Sequence, residues 1–109
     1  MVTPDILGSV QNYLLRLKKE GIPVGSGVIF GSQILGTAHE WSDIDLLIIS
    51  PEFDRPINRK DVDLLWYIAA KTDSRIEPIP VGEKQFAEDR SNPILEIARR
   101  EGQVIPLAE

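Results

Sequence analysis

Two aspartates separated by one residue, Asp43 and Asp45, lead into the apolar run 46–49. In an extended strand, residues two apart point to the same face, and their Cα atoms lie about 7 Å apart. Two carboxylates at that distance repel each other by roughly 2 kcal/mol at an effective dielectric constant of about 20. A divalent cation relieves this repulsion, and oxygen ligands favour Mg²⁺ or Mn²⁺, with the phosphate oxygens of a substrate completing the shell. The pair is therefore a candidate metal site.

A candidate phosphate-binding turn precedes the two acids. Gly31 and Ser32 follow a predicted strand at 24–30, and a short helical turn is predicted from about Gln33 to Gly36. Glycine permits close approach of the backbone. The serine hydroxyl and the free N–H groups at the start of the helical turn can hold anionic phosphate oxygens.

A third acid, Glu77, stands in the apolar and proline-rich stretch 75–79. It is a candidate second metal ligand or a candidate acceptor of the proton of an attacking hydroxyl. The alternative is an ordinary surface acid. The sequence alone leaves open whether the predicted strand 75–81 lies beside the strand 43–50.

The elements that must position these residues follow from hydrophobic spacing and capping residues. Apolar residues recur at helical spacing over 4–20, where Thr3 is a suitable N-cap and Pro4 suits the first helical position. We also predict helices over 59–72, 83–88 and 92–101, and a last short strand at Val104-Ile105. The resulting fold class is α/β (α+β), a small mixed β-sheet with helices packed on it, in a single domain over residues 1–109.

Two sequence features refine this expectation. The strand 43–50 is apolar on both faces, which is typical of a sheet that is covered on both sides. Pro78 and Pro80 place the strand 75–81 at an edge of the sheet or end it early, because proline cannot donate a hydrogen bond to a neighbouring strand.

The composition limits the classes of function. The net charge is −5, so the chain is a poor candidate for binding DNA or RNA through phosphate contacts. There is no cysteine, which excludes disulfides and thiolate zinc sites. No apolar run reaches the roughly 20 residues that cross a bilayer, and the N-terminal residues lack the layout of a signal peptide. We therefore expect a cytoplasmic protein.

Gly31-Ser32 is followed by Gly36, Ser42 and Asp43-Ile44-Asp45, and Glu77 lies on a later predicted strand. This order and spacing resemble the pattern of the DNA polymerase β-type nucleotidyltransferase superfamily, specifically of its minimal members. The resemblance implies transfer of a nucleoside monophosphate, AMP from ATP in the first instance, to a hydroxyl of a protein or small molecule. It also implies catalytic and metal-binding roles for Asp43, Asp45 and Glu77, and nucleotide-binding roles for Gly31, Ser32, Gly36 and Ser42.

A domain of 109 residues has little chain left to build an acceptor-binding surface, so we expect a protein partner or a second copy of the chain. The resemblance adds that minimal nucleotidyltransferases are often paired with a small helical partner of the HEPN type in toxin–antitoxin modules.

The chain departs from the family pattern in one respect. Small members usually carry one or two arginines between the serine and the second glycine, whereas residues 33–35 are Gln-Ile-Leu. This keeps two other interpretations open. One is a nucleotide-binding or partner-binding module of the same fold without catalysis, and the other is a structural domain with an incidental aspartate pair.

Several other residues have two interpretations. Trp41 either stacks on a nucleobase or packs its loop against the domain. Trp66 and Tyr67 are expected in the core or at a partner interface, with Trp66 on the same side of its helix as Leu65. A second Asp-x-Asp, at 61 and 63, falls on a predicted helix, where the two carboxylates diverge.

Overall fold

The computed structural model describes residues 2–39 and 41–107, and its elements follow the predicted order. The helices are α1 (Pro4–Lys19), α2 (Ser32–Leu35), α3 (Arg59–Thr72), α4 (Glu83–Glu88) and α5 (Pro93–Glu101). The strands are β1 (Ser26–Phe30), β2 (Ile44–Ile49), β3 (Ile76–Val81) and β4 (Gln103–Pro106), and a 3₁₀ turn spans Pro51–Asp54. None of the described helices is both long and apolar enough to cross a membrane.

Polar side chains at the N-caps fix where the three longest helices begin. The Oγ1 of Thr3 accepts a hydrogen bond from the N–H of Ile6 at 3.3 Å, and Pro4 is the first residue of α1. Asn58 and Asn92 cap α3 and α5 in the same way. Each cap satisfies an N–H group that has no carbonyl partner within its own helix, so these helix starts are local properties of the sequence.

The sheet is mixed, with the strand order β3-β2-β1-β4. Strand β1 pairs antiparallel with both β2 and β4, whereas β2 and β3 are parallel and are connected through α3. Strand β3 lies at an edge, which confirms the prediction drawn from Pro78 and Pro80, because an edge strand needs partners on one side only.

Both faces of the sheet are covered. One face packs against α1 and α3 through a cluster that includes Leu46 and Ile48 of β2. The other face packs against α4 and α5 through a cluster that includes Leu47 and Ile49. This confirms the expectation that the apolar strand is buried on both sides. Asp45 has the same strand parity as Leu47, so it belongs to the face that α4 and α5 cover.

Two aromatic residues of α1 and α3 differ in burial. Tyr13 of α1 is fully buried, and its hydroxyl donates to the carbonyl of Leu65 at 2.9 Å. Burial raises the pKa of Tyr13. Trp66 is 48% exposed and is not part of the core, because α3 turns Leu65, Ile68 and Ala69 inward instead.

Candidate active site

The end of β1 and the beginnings of β2 and β3 meet at one end of the sheet. In the strand register, Asp45 of β2 lies opposite Phe30 of β1 on one side and opposite Glu77 of β3 on the other. The parallel pairing of β2 and β3 thus brings together two acids that are 32 residues apart in the chain (77 − 45). The structure thus places β3 beside β2, a neighbourhood that the sequence alone left open.

Gly31 makes room for the carboxylate of Asp45. Its backbone has φ +79° and ψ −146°, a conformation that is almost confined to glycine. A Cβ atom at this position would collide with Oδ2 of Asp45. Glycine is therefore required here both by the shape of the turn and by the acid that lies against it.

Helix α2 is a single turn that begins at Ser32 directly after Gly31. The carbonyl of Gly31 accepts hydrogen bonds from the N–H groups of Ile34 and Leu35 at 3.0 and 3.1 Å. The N–H groups of Ser32 and Gln33 stand at the start of the turn, where no preceding helical carbonyl is available. Gly36 ends the turn with φ +77°. The predicted turn is thus formed beside Asp45, and its binding of phosphate stays a prediction.

Gln33 connects this turn to the segment that carries the acids. Its side chain is buried, and its Nε2 donates to the backbone carbonyl of Asp43 at 3.3 Å. In the sequence, Gln33 is predicted to begin the helical turn and occupies a position where small family members usually carry arginine. Its packing role depends on the fold that brings residue 33 next to residue 43, and composition gives no signal for it.

Asp43 lies just before β2 instead of within it, and its side chain is exposed. The prediction that both aspartates belong to the strand is therefore wrong for Asp43, because the regular strand begins at Ile44. Asp43 nevertheless remains beside Glu77 at this end of the sheet, since the interaction between their two carboxyl groups raises the pKa of Glu77.

The three acids repel one another electrostatically. The hydrogen bond to Asp43 raises the pKa of Glu77, and partial burial and the charges of Asp43 and Asp45 raise it further. Burial is the main cause that raises the pKa of Asp45, and the charge of Asp43 adds to it. Both shifts mean that negative charge is disfavoured at this position unless a cation neutralises it.

The acids do not form a metal site by themselves. Among residues 2–39 and 41–107, no group of three or more His, Cys, Asp or Glu side chains is arranged so that it could hold a metal ion. Mg²⁺ in nucleotide enzymes commonly uses one or two carboxylates and takes its other ligands from phosphates and water. Asp43 and Asp45 supply two such carboxylates, and Glu77 adds a third acid beside them.

The connection from α2 to β2 ends in a closed turn. The N–H of His39 donates to Oγ of Ser42 at 2.9 Å, and the N–H of Ser42 donates to the carbonyl of His39 at 3.0 Å. Ser42, which we expect to bind nucleotide, thus also holds this turn. Trp41 is 77% exposed; the interpretation that it packs the loop against the domain is therefore wrong.

A separate pocket of about 300 Å³ lies between the start of α1 and the α2–β2 connection. Gln33 and His39 line it, together with Arg75, which precedes β3. The guanidinium group of Arg75 makes two hydrogen bonds to the carboxylate of Asp73, at 3.0 and 2.7 Å. Arg75 is therefore engaged in an ion pair with Asp73, and the sequence alone gave no indication of this role.

Taken together, a mixed sheet with helices on both faces presents an aspartate pair and a third acid next to a glycine–serine turn, and this defines a nucleotidyltransferase-type domain. The sequence profile of the nucleotidyltransferase domain family matches residues 10–100. Because this match spans most of the 109 residues, the chain belongs to that family. A comparison with curated proteins finds no match.

Solved structures with the same fold include two of toxin–antitoxin complexes. One was crystallised with AMP-PNP and aligns with a TM-score of 0.60 and 20% identity, covering 91% of this chain and 74% of that one. Another is an MntA–HpeT mutant in which two aspartates two positions apart are glutamates, with a TM-score of 0.58, 18% identity and coverage of 91% and 74%. A protein from Sulfolobus solfataricus, assigned as a nucleotidyltransferase, aligns with a TM-score of 0.59 and 16% identity over 90% of this chain and 77% of its own.

Proposed function

We propose that this chain transfers a nucleoside monophosphate, AMP from ATP, to a hydroxyl group of a protein or small-molecule acceptor. The observation that carries the proposal is the meeting of Asp43, Asp45 and Glu77 beside the Gly31-Ser32 turn. Membership of the nucleotidyltransferase family supports the reaction class. The identity of the nucleotide and of the acceptor belongs to the proposal.

In the proposed reaction, the start of α2 binds the triphosphate. The hydroxyl of Ser32 and the N–H groups of the turn donate to phosphate oxygens, as at other helix starts that bind anions. Asp43 and Asp45 would hold Mg²⁺ or Mn²⁺, which neutralises charge on the triphosphate when bound. Positioning and charge stabilisation supply most of the rate enhancement in such a reaction.

Glu77 is proposed to accept the proton of the attacking hydroxyl. The acceptor oxygen then forms a bond to the α-phosphorus, the bond from that phosphorus to the bridging oxygen breaks, and pyrophosphate leaves with the electron pair. Glu77 suits this role because it lies opposite Asp45 in the register of β2 and β3. A proton acceptor must stand within hydrogen-bond reach of the proton it takes.

The proposed acceptor is a hydroxyl on a partner protein, either a small helical protein of the HEPN type or a second copy of this chain. Two of the structural neighbours are toxin–antitoxin complexes, and this supports a protein partner. The net charge of −5 makes a nucleic-acid acceptor a poor alternative.

The test uses two double variants that remove the same charge. Asp43→Asn with Asp45→Asn alters the candidate site, whereas Asp61→Asn with Asp63→Asn alters the second Asp-x-Asp, which lies on α3. The protein is incubated with α-labelled ATP, Mg²⁺ and the protein encoded next to it. We expect labelled partner with the wild type and with the α3 variant, and a loss of label of at least about 100-fold with the site variant. Equal labelling by both variants would show that the acids are not the catalytic site.

A second candidate function is nucleotide binding without transfer. It is favoured by residues 33–35, which are Gln-Ile-Leu where small members of the family usually carry arginine. Charge-assisted bonds from a guanidinium group to phosphate are stronger than neutral ones, and here Gln33 is engaged with the backbone of Asp43. Saturable binding of Mg²⁺–ATP that depends on Asp43 and Asp45, with no label on any partner or second copy, would identify this function.

A further inference from the structure

Trp41 exposes more of its surface than any other large hydrophobic side chain among the described residues. It is 77% exposed, and it lies two positions before Asp43. The same connection begins after Leu35, which is 61% exposed at the end of α2. Exposed apolar side chains on loops often mark binding sites when they gather beside a functional group.

Hydrogen bonds within its own turn hold the backbone of Trp41. Its N–H donates to Nδ1 of His39 at 3.3 Å, and two further bonds join His39 to Ser42 at 2.9 and 3.0 Å. The backbone of Trp41 is therefore held within its own turn, two positions before Asp43. An aromatic side chain has only two rotatable side-chain angles and loses little conformational entropy when a ligand covers it.

The chain itself limits how far the ring can be from the acids. Two residues of backbone span at most about 7 Å, so the Cα atom of Trp41 lies within that distance of the Cα atom of Asp43. The proposed triphosphate binds at Asp43, Asp45 and Ser32. The ribose and base of the same nucleotide extend beyond its α-phosphate, and the exposed ring of Trp41 belongs to the residue two positions before Asp43.

We infer that Trp41 is the residue on which the nucleobase of the substrate stacks. The inference rests on the proposed function, since it needs a nucleotide at the acid site. Stacking suits this site because an aromatic face attracts a base without requiring a positive charge, and residues 33–35 provide no cation. Stacking on Trp41 thus supplies affinity for the nucleotide, which the Gly31-Ser32 turn does not gain from a neighbouring arginine.

The chain has two tryptophans, which allows a direct test. In a Trp66→Phe variant, Trp41 is the only tryptophan, and its fluorescence is followed during titration with ATP or with inorganic tripolyphosphate, each with Mg²⁺. We expect ATP to quench the fluorescence with the dissociation constant found by calorimetry. Tripolyphosphate, which has no base, should compete with ATP without quenching when it binds alone.

Affinity is measured by calorimetry in two matched variants. Trp41→Ala should weaken ATP binding about 5- to 100-fold, equivalent to about 1–3 kcal/mol, and leave tripolyphosphate binding unchanged. Trp41→Phe should retain most of the ATP affinity because it keeps an aromatic face. Trp66→Ala removes the exposed tryptophan of α3 and should change neither affinity.

The outcomes separate this inference from the proposed function. If Trp41→Ala binds ATP as tightly as the wild type while binding still depends on Asp43 and Asp45, the inference is wrong and the proposed function stands. The same holds if Trp41→Ala lowers only the labelling of a partner, because the ring then contacts the acceptor. Absence of ATP binding by the wild-type protein would overturn both.

Discussion

Substitution of Gly31 by alanine should separate the stability of the fold from the geometry of the acid site. The backbone of Gly31 has φ +79° and ψ −146°, a region in which a residue with a side chain costs about 1–3 kcal/mol. The new Cβ atom would also collide with Oδ2 of Asp45. To restore an ordinary van der Waals contact of about 3.5 Å, the carboxylate must move by roughly 1 Å.

A displacement of that size has a large effect on catalysis. Misplacement of a reacting group by about 1 Å can reduce a rate by about 100-fold. We therefore expect Gly31→Ala to lower the rate of label transfer about 100-fold and to weaken the binding of Mg²⁺–ATP. Thermal unfolding should shift downward by roughly 4–8 °C for each 1 kcal/mol lost in a domain of this size.

Gly21→Ala is the matched control. Gly21 also has a positive φ, +101°, but a Cβ atom there would meet no heavy atom within 4 Å. It follows α1, outside the candidate site. We expect a comparable loss of stability with unchanged transfer, measured at a temperature where both variants are folded. Wild-type turnover by Gly31→Ala, or an equal loss of activity in Gly21→Ala, would refute the reasoning.

Three further substitutions test the packing and the charges. Tyr13→Phe removes the hydrogen bond to the carbonyl of Leu65 and should lower the free energy of unfolding in urea by about 1 kcal/mol; an unchanged value would contradict the role given to this bond. Asp73→Asn removes a carboxylate whose pKa is lowered by its hydrogen bond with Arg75. The stabilisation by that carboxylate is complete above its unfolded pKa of about 3.9 and is lost as the pH falls through the folded value. Unfolding at pH 7 should therefore show a deficit of about 1–2 kcal/mol in the variant, which shrinks at pH 3, and a deficit independent of pH would count against the ion pair. Asp43→Asn relieves repulsion among the acids and should raise the thermal midpoint in EDTA by an amount worth up to about 1 kcal/mol, whereas a lowered midpoint would indicate a structural role for the charge.

Local features of the sequence were sufficient to predict most elements. The helices over 59–72 and 83–88 have the predicted bounds, because hydrophobic spacing and capping residues act within a few positions. The edge position of β3 followed from Pro78 and Pro80, since proline removes a hydrogen-bond donor wherever it stands. The pair Asp43-x-Asp45 and the Gly31-Ser32 turn could also be recognised in the sequence, because each is defined by residues that are close together in the chain.

The features that the sequence did not settle depend on contacts between distant residues. The position of Glu77 opposite Asp45 comes from the pairing of β2 with β3, which hydrophobic periodicity does not specify. The burial of Tyr13 and the exposure of Trp66 depend on the rotation of α3 against α1, and two helices can meet in several orientations that satisfy the same spacing. The bond from Gln33 to the carbonyl of Asp43 is likewise a product of the tertiary fold.

The most direct test of the central claim is a crystal structure of the protein with Mn²⁺ and a non-hydrolysable ATP analogue, with the metal located by its anomalous signal. We predict a metal ion within bonding distance of carboxylate oxygens of both Asp43 and Asp45, and a triphosphate in contact with Ser32 and the start of α2. The account would be contradicted by a structure with no metal at the two aspartates and with the nucleotide bound elsewhere, for example in the pocket lined by Arg75.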